Sequence, residues 1–300
     1  MTVVGTIFVP SLPPERLRSV AVAADDAGVD ELWLWEDCFR EGGVSACTAA
    51  LAWTARVKVG IGILPLPFRN AAATAMEVAT LSRLFPGRFV LGVGHGVQDW
   101  MAQIGARPAS PLRCMREHLE AYRELFAGRR VTTSGEYVRL DDVGLDWPPA
   151  EPVAVHVGAT GPKTLRLAGE LGDGTVLTGG TTPEQTSAAR MHIDAGRAAG
   201  GRTDAHRVTV FLMAAFGADG EARLRADARG WPGLDPDGDV GVFGTPAQVA
   251  EGVGRWVGAG ADAVILQPTG DVTDHEGFAR AAGEVRALVA GRSGAGVTGP

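Results

Sequence analysis

Cysteine, lysine and long apolar runs are all scarce in this sequence. The three cysteines, Cys38, Cys47 and Cys114, form no C-x-x-C pair, so neither a structural zinc site nor a disulfide framework is expected. No apolar run has the length needed to span a bilayer, and no basic stretch followed by an apolar one opens the chain. The sequence therefore predicts a reduced, cytoplasmic protein without a metal site.

Basic residues do not outnumber acidic ones. The 28 Lys and Arg residues stand against 35 Asp and Glu residues, giving a net charge of −7, and the only lysines are Lys58 and Lys163. Such a chain gives no reason to expect nucleic acid or an anionic membrane as a partner. With 300 residues, 45% of them hydrophobic, a large core is available. The expected partner is a small-molecule substrate, and a homodimer is left open.

Strand-like and helix-like segments alternate along the chain. The strand-like segments are residues 3–9, 31–36, 57–64, 89–93, 153–157, 174–177, 208–216 and 263–267. Helical patterns between them predict parallel strands joined by crossover helices, and eight such units can close into a filled barrel. The predicted fold class is α/β: a single (β/α)₈ TIM barrel with loop insertions over residues 1–291, followed by a disordered tail at 292–300.

Three segments are expected to depart from the repeat. Residues 94–111 are predicted as a loop, residues 131–140 as a short two-stranded excursion, and residues 217–241 as a long mobile loop or lid rich in Gly, Asp and Pro. The competing fold is an open doubly wound sheet, which needs a G-x-G-x-x-G turn directly after a strand. The glycines within residues 92–96 do not have that spacing, so the barrel is favoured.

The expected site lies where the barrel strands end, because barrel active sites form from loops at the C-terminal ends of the strands. Two glycine turns follow the fifth and sixth strands, and they consist of Gly158, Ala159, Thr160 and Gly161, and of Thr178, Gly179 and Gly180. Glycine turns before helices expose backbone N–H groups that can bind phosphate without a basic side chain. These glycines could instead serve only tight turns, but two neighbouring turns of this kind favour phosphate binding.

Glycines inside the third strand are unusual, because glycine weakens a strand. Gly60 and Gly62 both lie there. One explanation is that a flat ligand approaches the backbone closely, and the other is packing against bulky neighbours.

Several of these segments together resemble a known family, the bacterial luciferase-like monooxygenase superfamily, and most of all its branch that uses the deazaflavin coenzyme F420. The segments that carry the likeness are residues 32–37, 60–70, 84–96 and 158–165. The run LFPGRFVLGVGHG at 84–96 is the most specific of them. The likeness extends over nearly the whole chain, to about residue 290.

The resemblance implies a barrel with a deazaflavin ring, or the flavin ring of FMN, lying across its mouth. It implies a non-prolyl cis peptide at Gly62–Ile63 that forms a bulge behind the ring, and a hydrogen bond from the ring system to Asp37. The residues beside the ring would be Gly94, His95 and Gly96. The two glycine turns would hold the phosphate end of the cofactor.

Two positions depart from the family pattern. Cys38 directly follows Asp37, where several members have a histidine that acts as acid, base or substrate contact. Val97 stands where some relatives have a catalytic glutamate. The resemblance therefore argues against a sugar-phosphate dehydrogenase and against any mechanism that needs that histidine.

Asp37 and His95 are the candidate catalytic residues. His156, within the fifth strand, is expected to be a core histidine, and Glu36 should point into the barrel or at the substrate. Arg69 could pair with the acidic tail of a deazaflavin or lie on the solvated surface.

Tryptophan is first of all hydrophobic mass, and this applies to Trp33 and Trp35. Trp100 is the tryptophan best placed to form a wall of a substrate pocket. The predicted reaction is hydride transfer between coenzyme F420 and an unidentified small organic substrate, with the cofactor carrying the chemistry. The alternatives are an FMN-dependent monooxygenase, a barrel that binds a cofactor without catalysis, and a metal-dependent barrel hydrolase or isomerase.

Overall fold

Parallel strands form a closed barrel in the computed structural model, which describes residues 2–295. The strands are β1 (Val3–Phe8), β2 (Glu31–Leu34), β3 (Lys58–Pro65), β4 (Phe89–Gly94), β5 (Val131–Ser134), β6 (Arg139–Val143), β7 (Val155–Gly158), β8 (Gly174–Leu177), β9 (Arg207–Phe216), β10 (Gly241–Gly244) and β11 (Ala263–Pro268). The barrel runs β1-β2-β3-β4-β7-β8-β9-β11, and β11 pairs with β1 to close it. The predicted (β/α)₈ barrel is confirmed.

Helices follow each barrel strand and cover the outside of the barrel. They are α1 (Leu17–Ala27), α2 (Gly43–Trp53), α3 (Ala71–Leu84), α4 (Gln98–Gln103), α5 (Pro111–Phe126), α6 (Pro162–Leu171), α7 (Pro183–Ala199), α8 (Gly220–Ala228), α9 (Pro246–Gly258) and α10 (His275–Ala295). Between residues 2 and 295 no helix combines the length and the apolar character needed to cross a bilayer.

The insertions are more ordered than the sequence predicted. The predicted loop at 94–111 contains helix α4, and the predicted lid at 217–241 contains helix α8 and leads into β10, which extends the sheet beside β9. Both predictions were wrong because these elements are short and polar, and α8 buries little apolar surface beyond Leu224 and Ala228. The excursion at 131–140 is confirmed as the antiparallel pair β5–β6.

The C-terminal boundary also differs from the prediction. Helix α10 continues to Ala295, so the first residues of the predicted tail at 292–300 are helical. Residues 296–300 lie outside the described residues.

The barrel interior is filled by a small cluster of large side chains contributed by separate strands. The cluster consists of Ile7, Trp33, Val90, Val176, Phe211 and Ile265. Trp33 is fully buried, and a Cβ atom at Gly60 would lie 2.6 Å from its ring. Packing against a bulky neighbour therefore accounts for Gly60. A Cβ atom at Gly62 would also contact Trp33 and Phe211, but Gly62 lies at the mouth of the barrel as well.

Candidate active site

A cleft of about 470 Å³, which we call the mouth cleft, opens at the C-terminal ends of the barrel strands. The predicted site residues that line it are Asp37, Gly62, Ile63, Gly94, His95, Gly96, Gly158, Ala159, Thr160, Thr178 and Gly179. Seven of the eight barrel strands, or the turns that follow them, contribute residues to its lining. The closure of the barrel, rather than any one motif, brings these residues together.

The back of the mouth cleft is formed by an irregular part of β3. The Gly62–Ile63 peptide is cis, as the resemblance predicted, and the pairing of β3 with β4 shifts register between Ile61 and Leu64. Cβ atoms placed at Gly94 and Gly158 would lie 2.8 Å and 2.9 Å from side-chain atoms of Ile63. The Ile63 side chain therefore sits against two strand ends that have no side chains of their own.

The two glycine turns form a second cleft of about 520 Å³, which we call the turn cleft. Ala159, Thr160, Thr178 and Gly179 line both clefts, so the mouth cleft and the turn cleft are continuous. Gly180 has a left-handed backbone (φ 82°) and lines the turn cleft only.

Helix starts complete the turn cleft. Helix α6 begins at Pro162, directly after Gly161, and α7 begins with a capping box in which the Thr182 side chain accepts from Gln185 N and the Gln185 side chain accepts from Thr182 N. Helix starts carry a partial positive charge, and the start of α6 has no side-chain cap from the described residues for its N–H groups, whereas the capping box of α7 occupies the N–H groups of Thr182 and Gln185. Gly161 itself lines neither cleft, although a Cβ atom there would meet open space.

Asp37 presents a half-buried carboxyl group to the mouth cleft. Burial raises the pKa of Asp37, and the charge of Arg40 opposes this shift. Its neighbour Cys38 is 9% exposed and is not among the residues that line the cleft. Burial, assisted by the charges of Glu36 and Asp37, raises the pKa of the Cys38 thiol. Cys38 therefore stays protonated and does not replace a histidine as an acid or base at neutral pH.

His95 is held at the edge of the mouth cleft by a hydrogen bond. Its Nε2 atom lies 3.1 Å from Thr164 Oγ1 on helix α6. Burial lowers the pKa of His95, and a hydrogen bond to the backbone of Pro111 opposes the shift. The imidazole is therefore neutral near pH 7.

Glu36 and Arg69 form a buried ion pair, which neither residue was predicted to make. The Glu36 carboxylate is 6% exposed and accepts from Gly43 N and from Arg69 Nε, at 2.9 Å and 3.0 Å. Arg69 also pairs with Glu77 at 2.9 Å. The solvated-surface suggestion for Arg69 was wrong, because its side chain is only 17% exposed. Its pairing with a cofactor tail stays a prediction, and Arg69 lines neither cleft.

Several lining residues were missed at the sequence level. They are Pro65, Thr164, Phe211, Trp231 and Gln267. Trp231 lies in the segment predicted as a mobile lid, and Trp35, predicted as hydrophobic mass, also lines the cleft together with Trp100. His156, by contrast, is a core histidine as predicted, and burial lowers its pKa to about 3.

Two buried polar atoms of the mouth cleft have no hydrogen-bond partner among the described residues. They are Trp35 Nε1 and Gln267 Oε1. Gln267 is only 2% exposed, and a Cβ atom at Gly179 would lie 2.5 Å from its Oε1 atom. A buried donor and a buried acceptor without partners are costly, and both belong to residues that line the cleft. An apolar cleft with these groups and glycine-rich walls fits a flat heterocycle that carries a phosphate tail.

No group of three or more His, Cys, Asp or Glu side chains in the described part of the chain is arranged to hold a metal ion.

The chain is similar to known proteins in family, in sequence and in structure. A family model described as luciferase-like monooxygenase matches residues 4–242. A 5,10-methylenetetrahydromethanopterin reductase from Archaeoglobus fulgidus is 33% identical over 199 residues, which are 66% of this chain and 59% of that protein. An F420-dependent glucose-6-phosphate dehydrogenase from Nakamurella multipartita is 34% identical over 246 residues, 76% of this chain and 72% of that protein. The chain thus spans about three fifths of the length of the first of these relatives.

Solved structures share the fold. The coenzyme F420 dependent tetrahydromethanopterin reductase of Methanopyrus kandleri has a TM-score of 0.82 at 20% identity, covering 94% of this chain and 97% of that one. The oxygenating constituent of 3,6-diketocamphane monooxygenase from Pseudomonas putida, in complex with FMN, has a TM-score of 0.76 at 19% identity, covering 97% and 98%. Family match, sequence relatives and fold agree with the resemblance that the sequence predicted, and the chain belongs to the luciferase-like monooxygenase family.

Proposed function

We propose that this protein is an oxidoreductase that uses coenzyme F420 to transfer a hydride to or from a small organic substrate. The observation that carries the proposal is the continuity of the two clefts, which share Ala159, Thr160, Thr178 and Gly179. An apolar cleft for a ring runs directly into a cleft lined by glycine turns and helix starts, which suit a phosphate. The similarity to an F420-dependent dehydrogenase, and the fold shared with a coenzyme F420 dependent reductase, support the same cofactor.

The chain's own residues would bind and orient the cofactor. The Gly62–Ile63 segment would support the ring from behind, and Asp37 would hydrogen-bond to a polar edge of the ring. The amides of the two glycine turns would bind the phosphate. When bound, a deazaflavin supplies two-electron hydride chemistry, so the protein needs to align the reactants and supply hydrogen bonds rather than form covalent bonds.

The residues around the cleft would also control water and protons. Trp100 and Trp231 would exclude water from the reacting atoms. Asp37, whose pKa is raised by burial and held back by the charge of Arg40, would act through its carboxylate as a hydrogen-bond acceptor. Neutral His95, fixed by Thr164, would act as a hydrogen-bonding group rather than as a cation.

Side-by-side titration of the purified chain with F420 and with FMN tests the cofactor. We expect saturable F420 binding, followed by absorbance of the bound deazaflavin, and much weaker FMN binding. Tight FMN binding without F420 binding would contradict the proposal. It would favour the FMN-dependent monooxygenase, which the fold shared with an FMN-bound monooxygenase also supports.

Binding alone does not separate an enzyme from a cofactor carrier. Reduced F420 should be oxidised by the holoprotein in the presence of a substrate from a panel of imines and enones. Binding without turnover on any member of the panel would favour the non-catalytic barrel.

A further inference from the structure

The carboxylates that line the mouth cleft are not accompanied by lysine or arginine side chains in the described part of its lining. Glu36 and Asp37 line it, and none of its lining residues within the described chain is Lys or Arg. Glu36 is neutralised by Arg69. Arg40 lies near Asp37, but its side chain is exposed and its guanidinium donates to the Pro10 carbonyl at 2.7 Å. The Asp37 carboxylate is therefore the charge in the cleft that is most available to a ligand.

Aromatic rings from four separate parts of the fold line the same cleft. Trp35 follows β2, Trp100 lies on α4, Trp231 follows α8, and Phe211 lies on β9. Trp35 and Phe211 stack on each other, with ring centroids 6.1 Å apart and an interplanar angle of 23°, so the two ring faces that meet are not open to a ligand. Aromatic faces attract cations, and cages of aromatic rings are the usual means of binding quaternary ammonium groups.

From this combination of aromatic rings and a carboxylate we infer that the substrate in the mouth cleft carries a positively charged nitrogen. This inference rests on the proposed function, which makes the cleft a site of hydride transfer. An anionic substrate, such as a sugar phosphate or a carboxylate, would face Asp37 without a lysine or arginine among the lining residues to offset the repulsion.

The chemistry of hydride transfer is compatible with this substrate class. Hydride adds to the carbon of a C=N⁺ group, the π electron pair moves to nitrogen, and a neutral amine results. The hydride would come from the reduced deazaflavin of the proposed function, which is oxidised by two electrons and releases one proton to water. No other reagent is required, and the ground-state cation is the species that Asp37 and the aromatic rings would bind.

Three five-membered-ring compounds of similar size and different charge test the inference. The probes are the cation N,N-dimethylpyrrolidinium, the neutral N-methylpyrrolidinone and the anion cyclopentanecarboxylate. Their dissociation constants are measured by quenching of the protein's tryptophan fluorescence, with and without oxidised F420, so that no turnover occurs. We expect the cation to bind at least about tenfold more tightly than either of the other two. Equal binding of the three, or a preference for the carboxylate, would overturn the inference.

Substitutions test which residues cause the preference for the cation. Asp37→Asn keeps the size of the side chain and removes its charge, and it should abolish most of the tenfold difference. Asp99→Asn is the matched control, because it removes an exposed carboxylate on α4 that is not among the lining residues; it should leave the preference unchanged. Trp100→Leu should weaken cation binding more than neutral binding. If Asp37→Asn does not fold, the dissociation constants of the three probes for the wild-type protein and for Trp100→Leu still test the inference.

The proposed function and this inference fail in different ways. If F420 does not bind, the proposed function is wrong. The affinities of the three differently charged probes can still be compared on the chain without cofactor. If F420 binds and the cation shows no advantage over the anion, the cofactor assignment survives and the substrate class does not.

Discussion

At the residue scale, glycines set the shape of the mouth cleft because they have no side chains. Gly94 and Gly158 both lie against Ile63, so that a Cβ atom at either would come within 3 Å of it. Ile63 is half-buried and lines the cleft. An added methyl group at Gly94 can therefore be accommodated only if Ile63 moves toward the space that the ring would occupy.

Gly94→Ala should weaken F420 binding about tenfold while the protein remains folded. The loss arises because the displaced Ile63 side chain narrows the cleft, and it is measured by titration with F420. Gly254→Ala, on helix α9 with no atom within 4 Å of the added Cβ, is the control and should bind normally. A folded Gly94→Ala protein with unchanged F420 affinity would show that Ile63 does not support the ring.

Much of the site could be predicted from single residues, because glycines at strand ends and the Asp37 position are local features of the sequence. Phe211 and Gln267 could not be found in that way, because their relevance depends on which face of a strand points inward. Ile265 belongs to the barrel interior, and side chains two apart share a face, so strand parity would have identified Gln267 once the barrel was known. Trp231 carried no such signal, because it lies outside any strand.

At the element scale, helix α9 supports the turn cleft from behind. Trp256 is fully buried, and its Nε1 atom donates to the carbonyl of Thr181 at 2.8 Å. Thr181 follows directly after the second glycine turn and lines the turn cleft. The position of that turn is thus fixed by a side chain from an element that takes no part in the site.

Trp256→Phe should weaken binding of phosphate-bearing F420 severalfold and lower stability by about 1 kcal/mol, because it leaves the Thr181 carbonyl without its donor. Binding of the deazaflavin ring with its ribityl chain but without phosphate should change much less. Both affinities are measured by titration, and stability by urea unfolding. Trp147→Phe, at an exposed tryptophan, is the control. Equal losses for the two ligands would contradict a role of Trp256 in the phosphate turn.

The elements themselves were predicted unevenly. The barrel strands, which are buried and apolar, were predicted within a few residues, and β8 was predicted at its observed bounds. Helix α8 was missed because its sequence GEARLRADA is mostly polar, and its fold depends on packing beside β9 and β10. Its position is set by tertiary contacts that no local pattern reports.

At the scale of the whole molecule, the two ends of the barrel have different tasks. The C-terminal end carries both clefts, and the N-terminal end is closed by buried polar groups. Arg207 donates twice to the Glu31 carboxylate, at 2.7 Å each, and Trp33 Nε1 donates to the same carboxylate at 2.8 Å. In barrels the N-terminal face contributes stability rather than catalysis.

Two histidines at this end link stability to pH. His156 and His206 are both buried. Burial is the main cause that lowers their pKa values, to about 3 and about 4, from an ordinary value of 6.5, with nearby arginines adding to the effect. Between pH 6.5 and 4 these two histidines therefore bind more protons in the unfolded chain than in the folded one. Their contribution to the free energy of unfolding is lost as the pH falls through this window.

His206→Gln should reduce the loss of stability between pH 6.5 and 4 by about 3 kcal/mol, because it removes one group that the unfolded chain protonates and the folded chain does not. The free energy of unfolding is measured by urea denaturation at several pH values in this range. His192→Gln, at a partly exposed histidine of α7, serves as the matched control for the replacement of a histidine by glutamine. If the free energy of unfolding changed equally with pH in the wild type and in His206→Gln, His206 would be protonated in the folded barrel as it is in the unfolded chain. In that case acid sensitivity above pH 4 would have to come from His156 and the other buried groups.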